Sequence, residues 1–220
     1  MSHQALRNML QELNENKVYP SYVVFETMGK NQKLDVQKLN THLLIVLEGS
    51  LHLENKNSQI LQFFVPGNTI HQSPFVMNAQ DSLKVMSDCE SEIVLVHREF
   101  FLNFASNKIE YMEWLLEAVT ENSSAFCFEL MKFDLLPEKR IIYTLQTFCK
   151  KIHAREDSGY FKLPDFITKT MLSRYGGVSR KTLDKILVDL AEQRLLIKQD
   201  DTFFVKRHFD NEKSSVSATK

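Results

Sequence analysis

Between Gly176 and Leu190 the chain reads GGVSRKTLDKILVDL, and its hydrogen-bonding chemistry is concentrated in Ser179, Arg180, Lys181, Thr182 and Lys185. Arg180 carries a planar fork of donors that matches guanine O6 and N7, while Lys181 and Lys185 are mobile point charges that can reach bases or phosphates. The hydroxyls of Ser179 and Thr182 add short polar contacts beside them. Donation to a polyanion is the chemistry this set can perform. On a lone amphipathic helix the same cations would be a solvated face, so the flanking elements decide between the two readings.

Leu183, Ile186, Leu187 and Leu190 recur at i, i+3, i+4 and i+7 and form an inward stripe. Arg180, Lys181, Asp184, Lys185 and Val188 are left on the outer side, with the cations in the first two turns, the part of a recognition helix that enters the major groove. Ser179 is a good N-cap. A helix is predicted over Asp165 to Tyr175, and the turn Gly176-Gly177-Val178 with the small Ser173 nearby fits helix-turn-helix packing. After the second helix, LLIKQDDTFFV predicts strand, Asp200-Asp201 turn and strand, the pattern of a wing. Lys169 and Lys206 are candidate phosphate contacts, and Arg174 is a further DNA-binding candidate.

A formal net charge of −1 over 220 residues does not oppose this reading, because the charge is unevenly placed. From Tyr160 to Phe209 ten Lys and Arg face six Asp and Glu, so this segment carries +4 and the remainder −5. A polyanion needs a local basic face, not a basic protein. No run of about 18 apolar residues occurs, and MSHQALRNMLQELNENK is polar, so no membrane span or export signal is indicated and a cytoplasmic location is expected. Cys89, Cys127 and Cys149 are too widely spaced for a disulfide framework or a Cys-x-x-Cys site and read as packing residues.

From Tyr19 to Arg98 the apolar runs YVVF, LLIVL, LHL, ILQFFV and IVLV alternate with turn residues, which predicts a small barrel or roll. The period then changes. Ile109, Met112, Leu116, Val119, Ser123, Phe126, Leu130 and Phe133 alternate at three and four residues, the narrow seam of a coiled-coil contact, with Ser123 as a polar interruption that can fix register. A second set, Trp114, Leu115, Ala118 and Phe128, is expected to pack on the helix's own domain. Pro137 restarts the chain as a helix whose face is Ile141, Ile142, Leu145, Phe148 and Ile152, and residues 153–159 read as a polar connection. The expected fold class is α+β, with a sensor roll over 1–107, a dimerisation helix over 108–136 and a winged helix-turn-helix over 137–220.

VSRKTLDKILVDLAEQRLLI resembles the recognition helix and wing of the CRP/FNR family of bacterial transcription regulators, whose usual form is close to CSRETVxRILxxLExxxLI. The roll, through LIVLEGSLHL and LQFFVPGNTI, the long helix and FDLLPEKRIIYTLQTFCKKI follow in the family's order, so the resemblance covers residues 18–207. It implies a homodimer on a double-stranded, pseudo-palindromic DNA operator, with RNA polymerase as a further partner and no catalytic activity. Arg180, Lys181 and Lys185 fall at the family's base-reading positions. Lys181 stands where many members have Glu, which accepts from cytosine; lysine cannot accept, so the operator should differ from that of the cyclic-AMP receptor type.

Cyclic-nucleotide-binding members clamp the cyclic phosphate with an Arg-Ser or Arg-Thr pair after the roll's Gly-Glu-Leu turn. No arginine lies between Arg7 and Arg98, and the nearest counterpart of the pair is Asp81-Ser82, whose carboxylate would repel a phosphate. Cyclic AMP and cyclic GMP are therefore not expected as effectors. The departure makes the chain more similar to the PrfA-type subgroup of Gram-positive regulators, which implies glutathione as a candidate small-molecule effector. No N-terminal cysteine cluster suits an iron–sulfur centre, and no cofactor is called for. Pro66 to His71 loosely resembles the second motif of cupin metal enzymes, but His42 and His52 are ten residues apart rather than an HxH pair. A ligand-gated protein-interaction module without DNA binding and a cupin-like metal enzyme are the alternatives to the regulator.

Overall fold

Leu43 to Leu47 is apolar at every position because the strand that contains it is buried on both faces. In the computed structural model, which describes residues 2–71, 83–151, 156–157, 159–200 and 202–207, this is strand β2 (His42–Glu48), following β1 (Val23–Met28) and preceding β3 (Leu51–Asn55), β4 (Ile60–Phe64), β5 (Thr69–Ile70), β6 (Leu83–Ser87) and β7 (Ser91–His97). Leu44 and Val46 face a cluster with Leu51, Phe64 and Val85, whereas Leu43, Ile45 and Leu47 face the helices through Phe101 and Trp114. β7 obeys the same rule, with Ile93 and Leu95 inward and Val94 and Val96 toward the helices. Opposite side chains of one strand thus close two cores.

Among the described residues these strands form two antiparallel sheets, in the orders β1-β7-β2-β5 and β4-β3-β6. Apart from the β3–β4 hairpin the pairs are non-sequential, which makes the unit a roll rather than a meander. The fold class is α+β, with a roll, a long helix and a winged helix-turn-helix. The chain separates into two units, Met1–Asp134 and Leu135–Lys220. No helix among the described residues is long and apolar enough to cross a membrane.

Helix α1 (His3–Glu15) lies outside the sequence-based expectation. Ser2 caps it by accepting from the Ala5 amide at 3.2 Å, and Leu6, Met9, Leu10 and Leu13 are buried on the helix side of the first sheet. Each such side chain stabilises the fold by about 1.5–3 kcal/mol relative to full exposure. Glu12, on the half-exposed flank, accepts from Lys108 Nζ and Tyr111 Oη. The Lys108 and Tyr111 hydrogen bonds hold the Glu12 carboxyl below its ordinary range, and burial, followed by Glu12, pushes the Tyr111 phenol up to about 12.

After α2 (Arg98–Ala105), helix α3 (Ile109–Met131) rests on the roll by Trp114 and Ala118, and Asn122 Nδ2 donates to Thr69 O at 2.7 Å. Phe128 does not join them: it is 57% exposed, as are the neighbouring Phe126, Leu130 and Met131 in large part, while burial on this stretch falls on Glu129 and Lys132. Cys127 on this stretch is also exposed and is no packing residue, while Cys149 is buried and its thiol is pushed up to about 12 by burial; all three cysteines are free.

The second unit is built on α4 (Pro137–Lys151), with Ile141, Leu145 and Phe148 buried. Ile152 lies outside the described residues. The polar stretch before Gly159 is in part a strand: β8 (Glu156–Asp157) pairs with β9 (Tyr160–Lys162), which continues through β11 (Thr202–Lys206) to β10 (Leu196–Gln199). Gln199 pairs with Thr202, so the wing turn spans two residues, of which Asp201 lies outside the described residues.

Candidate nucleic-acid interface

Two helices, α5 (Lys169–Gly176) and α6 (Arg180–Glu192), and the three residues between them carry the predicted recognition unit. α5 begins four residues later than the sequence suggests, because Thr168 accepts from the Met171 amide at 3.2 Å and so caps the helix there, while Pro164 to Ile167 closes a separate turn. Gly177 ends it in the left-handed region at φ 61°, a conformation that favours glycine. The small Ser173 grips the turn twice: its carbonyl accepts from the Val178 amide at 3.1 Å, and its hydroxyl donates to Val178 O at 2.6 Å. Arg140 of α4 donates to the carbonyls of Gly176 and Gly177 at 3.4 and 3.5 Å, which satisfies the helix end. Gly176 is needed for approach, since a Cβ there would lie 2.3 Å from Ile141 Cδ1.

This turn aims α6. Ser179 caps it by accepting from the Thr182 amide at 3.1 Å, and the two hydroxyls are 2.7 Å apart. Both are thereby engaged with each other at the helix start, where they remain exposed. Leu183, Ile186, Leu187 and Leu190 are all buried, and that anchor leaves Arg180, Lys181, Asp184, Lys185 and Val188 exposed.

The exposed side chains are not equivalent. Arg180 Nη2 donates to Thr170 Oγ1 of α5 at 3.0 Å, which holds the guanidinium beside the first helix. Lys169 of α5 forms an ion pair with Asp184 of α6, both about half-exposed. Lys181 and Lys185 are exposed and form no hydrogen bond or ion pair among the described residues. The α5–α6 pair therefore gathers Lys169, Arg180, Lys181 and Lys185 around one surface. Arg174 is exposed on α5, and Lys206 is half-buried on β11, in the wing sheet rather than on the helix pair. Thr170 and the Lys169–Asp184 pairing escape sequence reasoning, because partners 10 and 15 residues apart meet only through the helix crossing.

On α3 the predicted seam divides. Ile109, Leu116, Phe126 and Leu130 are exposed, at 73%, 64%, 40% and 53%, an apolar row left largely open among the described residues. Met112 and Val119 are half-buried, and Met112 packs partly on the roll. Phe133 follows the helix end in a single 3-10 turn.

In the roll, the histidines that loosely suggested a metal barrel are dispersed. His42 is on β2, bonded to Ser21 O and Thr41 Oγ1, while His52 is on β3 in the other sheet, with Nδ1 2.6 Å from Asp88 Oδ1. His71 follows β5, and its pKa is lowered by burial and then by the charge of Arg98. No group of three or more His, Cys, Asp or Glu side chains among the described residues is arranged to hold a metal ion. Asp81 and Ser82, at the position of the phosphate clamp, lie outside the described residues.

No family model matches the chain. A similar curated protein is the HTH-type transcriptional regulator ArcR of Staphylococcus epidermidis, 21% identical over 176 residues that cover 76% of this chain and 75% of that one. Among solved structures, a cyclic nucleotide-binding domain containing protein from Listeria monocytogenes EGD-e aligns with a TM-score of 0.79 at 22% identity, covering 92% of this chain and 97% of that one. A transcriptional regulator of the CRP family from Thermus thermophilus aligns at 0.67 with 10% identity, covering 82% and 91%. The roll, the long helix and the winged helix-turn-helix, in that order, give this chain the CRP/FNR-like transcriptional regulator fold.

Proposed function

We propose that the chain is a sequence-specific DNA-binding transcription regulator, acting in the cytoplasm as a homodimer on a pseudo-palindromic operator. The observation that carries the reading is α6 itself: four buried apolar residues fix its inner face, and Arg180, Lys181 and Lys185 stand on its outer face within the first two turns. Arg180 reads a guanine edge, Lys181 and Lys185 reach bases or phosphates, and Ser179 and Thr182 border them. Lys169, Arg174 and Lys206 serve the phosphate backbone. The exposed row Ile109, Leu116, Phe126 and Leu130, with Met112 and Val119, pairs with its copy, so that two α6 helices address half-sites about 34 Å apart.

The regulator is of the PrfA-type subgroup and engages RNA polymerase at its promoters. It does not use cyclic AMP or cyclic GMP, since its sequence has no arginine between Arg7 and Arg98 to clamp the phosphate. A small molecule such as glutathione acts by binding one orientation of the paired winged helices better than another, which is the only way a ligand can shift that equilibrium.

Selection of DNA from a random pool, with and without cell extract, tests the reading. A palindromic consensus is expected, and Arg180→Ala should cost about 1–3 kcal/mol at that site and relax specificity. No enrichment under either condition refutes DNA recognition, and an unchanged ratio of operator to random DNA for the variant refutes the role of Arg180.

A further inference from the structure

Every cation on the reading face of α6 is a donor and nothing else. Arg180, Lys181 and Lys185 can match guanine O6 and N7, thymine O4 or a phosphate, but none can accept from the amino groups that mark cytosine N4 and adenine N6 in the major groove. Asp184 is the exposed acceptor among them. It lies one turn after Arg180 and Lys181, and burial of Leu183, Ile186 and Leu187 turns it outward between those residues and Lys185.

A bare carboxylate in that place would be repelled by the phosphates. In this structure it is not bare: the Lys169 ammonium, from the first helix of the pair, is bonded to Asp184 Oδ1. One cation on Oδ1 offsets the carboxylate's charge and restricts its rotamer, and Oδ2 remains as an acceptor. The neighbouring contact has the same plan, since Thr170, the next residue of α5, holds Arg180 at 3.0 Å. α5 thus steadies two reading side chains of α6 with two consecutive residues.

We propose that Asp184 is a specificity-determining residue that accepts a hydrogen bond from the amino group of cytosine or adenine, and that Lys169 is its positioning residue. The inference rests on the DNA-binding reading above. It moves the main duty of Lys169 from the phosphate backbone to the orientation of a base-reading carboxylate. It also replaces, from a neighbouring position, the acceptor that Lys181 cannot supply.

The test compares consensus sites selected from a random duplex pool by the full chain, by Asp184→Ala, by the isosteric Asp184→Asn and by Lys169→Met. Wild type should show one position per half-site with a preference for a cytosine or adenine of roughly five- to hundredfold. Asp184→Ala should level that position alone and leave the Arg180-dependent guanine unchanged. Asp184→Asn should turn it toward adenine, whose N6 and N7 an amide matches in two bonds. Lys169→Met should reduce the preference at the same position, a change that lost phosphate attraction or lost fold stability would not produce, since both act on all sequences alike. Because each preference is a ratio within one protein, partial unfolding does not obscure it. If wild type selects an operator and Asp184→Ala selects the identical consensus with identical ratios, the assignment is overturned; if wild type selects none, the DNA-binding reading fails instead.

Discussion

Replacing Gly176 by alanine should destabilise the second unit although alanine is the better helix former. Gly176 closes α5, and a Cβ built on it falls 2.3 Å from Ile141 Cδ1, a fully buried atom of α4. Ordinary contact begins near 3.4 Å, so the methyl must retreat by about 1 Å into a packed core. Such overpacking costs about 1–3 kcal/mol, against which the helix preference for alanine returns about 0.5–1 kcal/mol. The net expectation for Gly176→Ala is a loss of up to about 2.5 kcal/mol. Ile141→Val removes the offending Cδ1 and by itself costs about 0.5–1.5 kcal/mol. In the Ile141→Val background, Gly176→Ala should become neutral or stabilising, since the new methyl then occupies the space that Cδ1 vacated. Urea denaturation of the four proteins of the double-mutant cycle, with equal slopes, measures the coupling, expected at about 1–3 kcal/mol in favour of the pair. Additivity within about 0.5 kcal/mol would refute the contact and with it the account of how α4 seats the recognition turn.

Two further outcomes follow from the first unit. Leu116→Glu places a charge on an apolar row that is 64% exposed in the single chain, and removes about 1.5–3 kcal/mol of burial from each copy in a dimer. Sedimentation should show monomer for this variant and dimer for wild type, and a dimeric variant would exclude this row as the interface. Glu12→Gln tests the ion pair under α1: the folded carboxyl titrates below its ordinary value of 4.5, so its contribution is complete above that pH and is lost as pH falls through the folded value. The stability gap between wild type and Glu12→Gln should therefore narrow on acidification from pH 6 to pH 3, and a constant gap would show that Glu12 carries no pH-dependent stability.

The second unit was legible because its signals are local. Ser179, the apolar stripe from Leu183 to Leu190 and the paired glycines each act within one or two turns, and their sequence order is their spatial order. Two boundaries moved: α5 starts late because the hydroxyl of Thr168 caps it there, and the polar stretch before Gly159 yields β8, which depends on its pairing with β9. The roll was legible where a strand carries an apolar run of its own, as β1, β2, β3, β4 and β7 do. β5 has two residues and β6 is largely half-buried, so both depend on distant partners, Leu44 and Ile45 for one and Leu51 to Asn55 for the other. α1 was a different kind of miss: Leu6, Met9, Leu10 and Leu13 show the same i, i+3, i+4, i+7 spacing as α6, but polar flanking residues masked it. Phe128 was misassigned because the buried position on this stretch of α3 is the neighbouring Glu129, a charged residue that an apolar pattern does not count. At the candidate interface the cations could be read from the sequence, but the contacts that orient them could not.

The docking of α1 has a consequence for synthesis. Glu12 meets Lys108 and Tyr111 across 96 and 99 residues, and the stripe of α1 shares its cluster with Trp114. Contacts of such sequence separation slow folding, and a ribosome adding about 5–20 residues per second delivers the start of α3 about 5–20 s after α1. During that interval Leu6, Met9, Leu10 and Leu13 lack part of the cluster that buries them in the finished fold. A nascent chain at this stage offers a hydrophobic segment for chaperone capture, which is withdrawn when Trp114 emerges and the cluster closes.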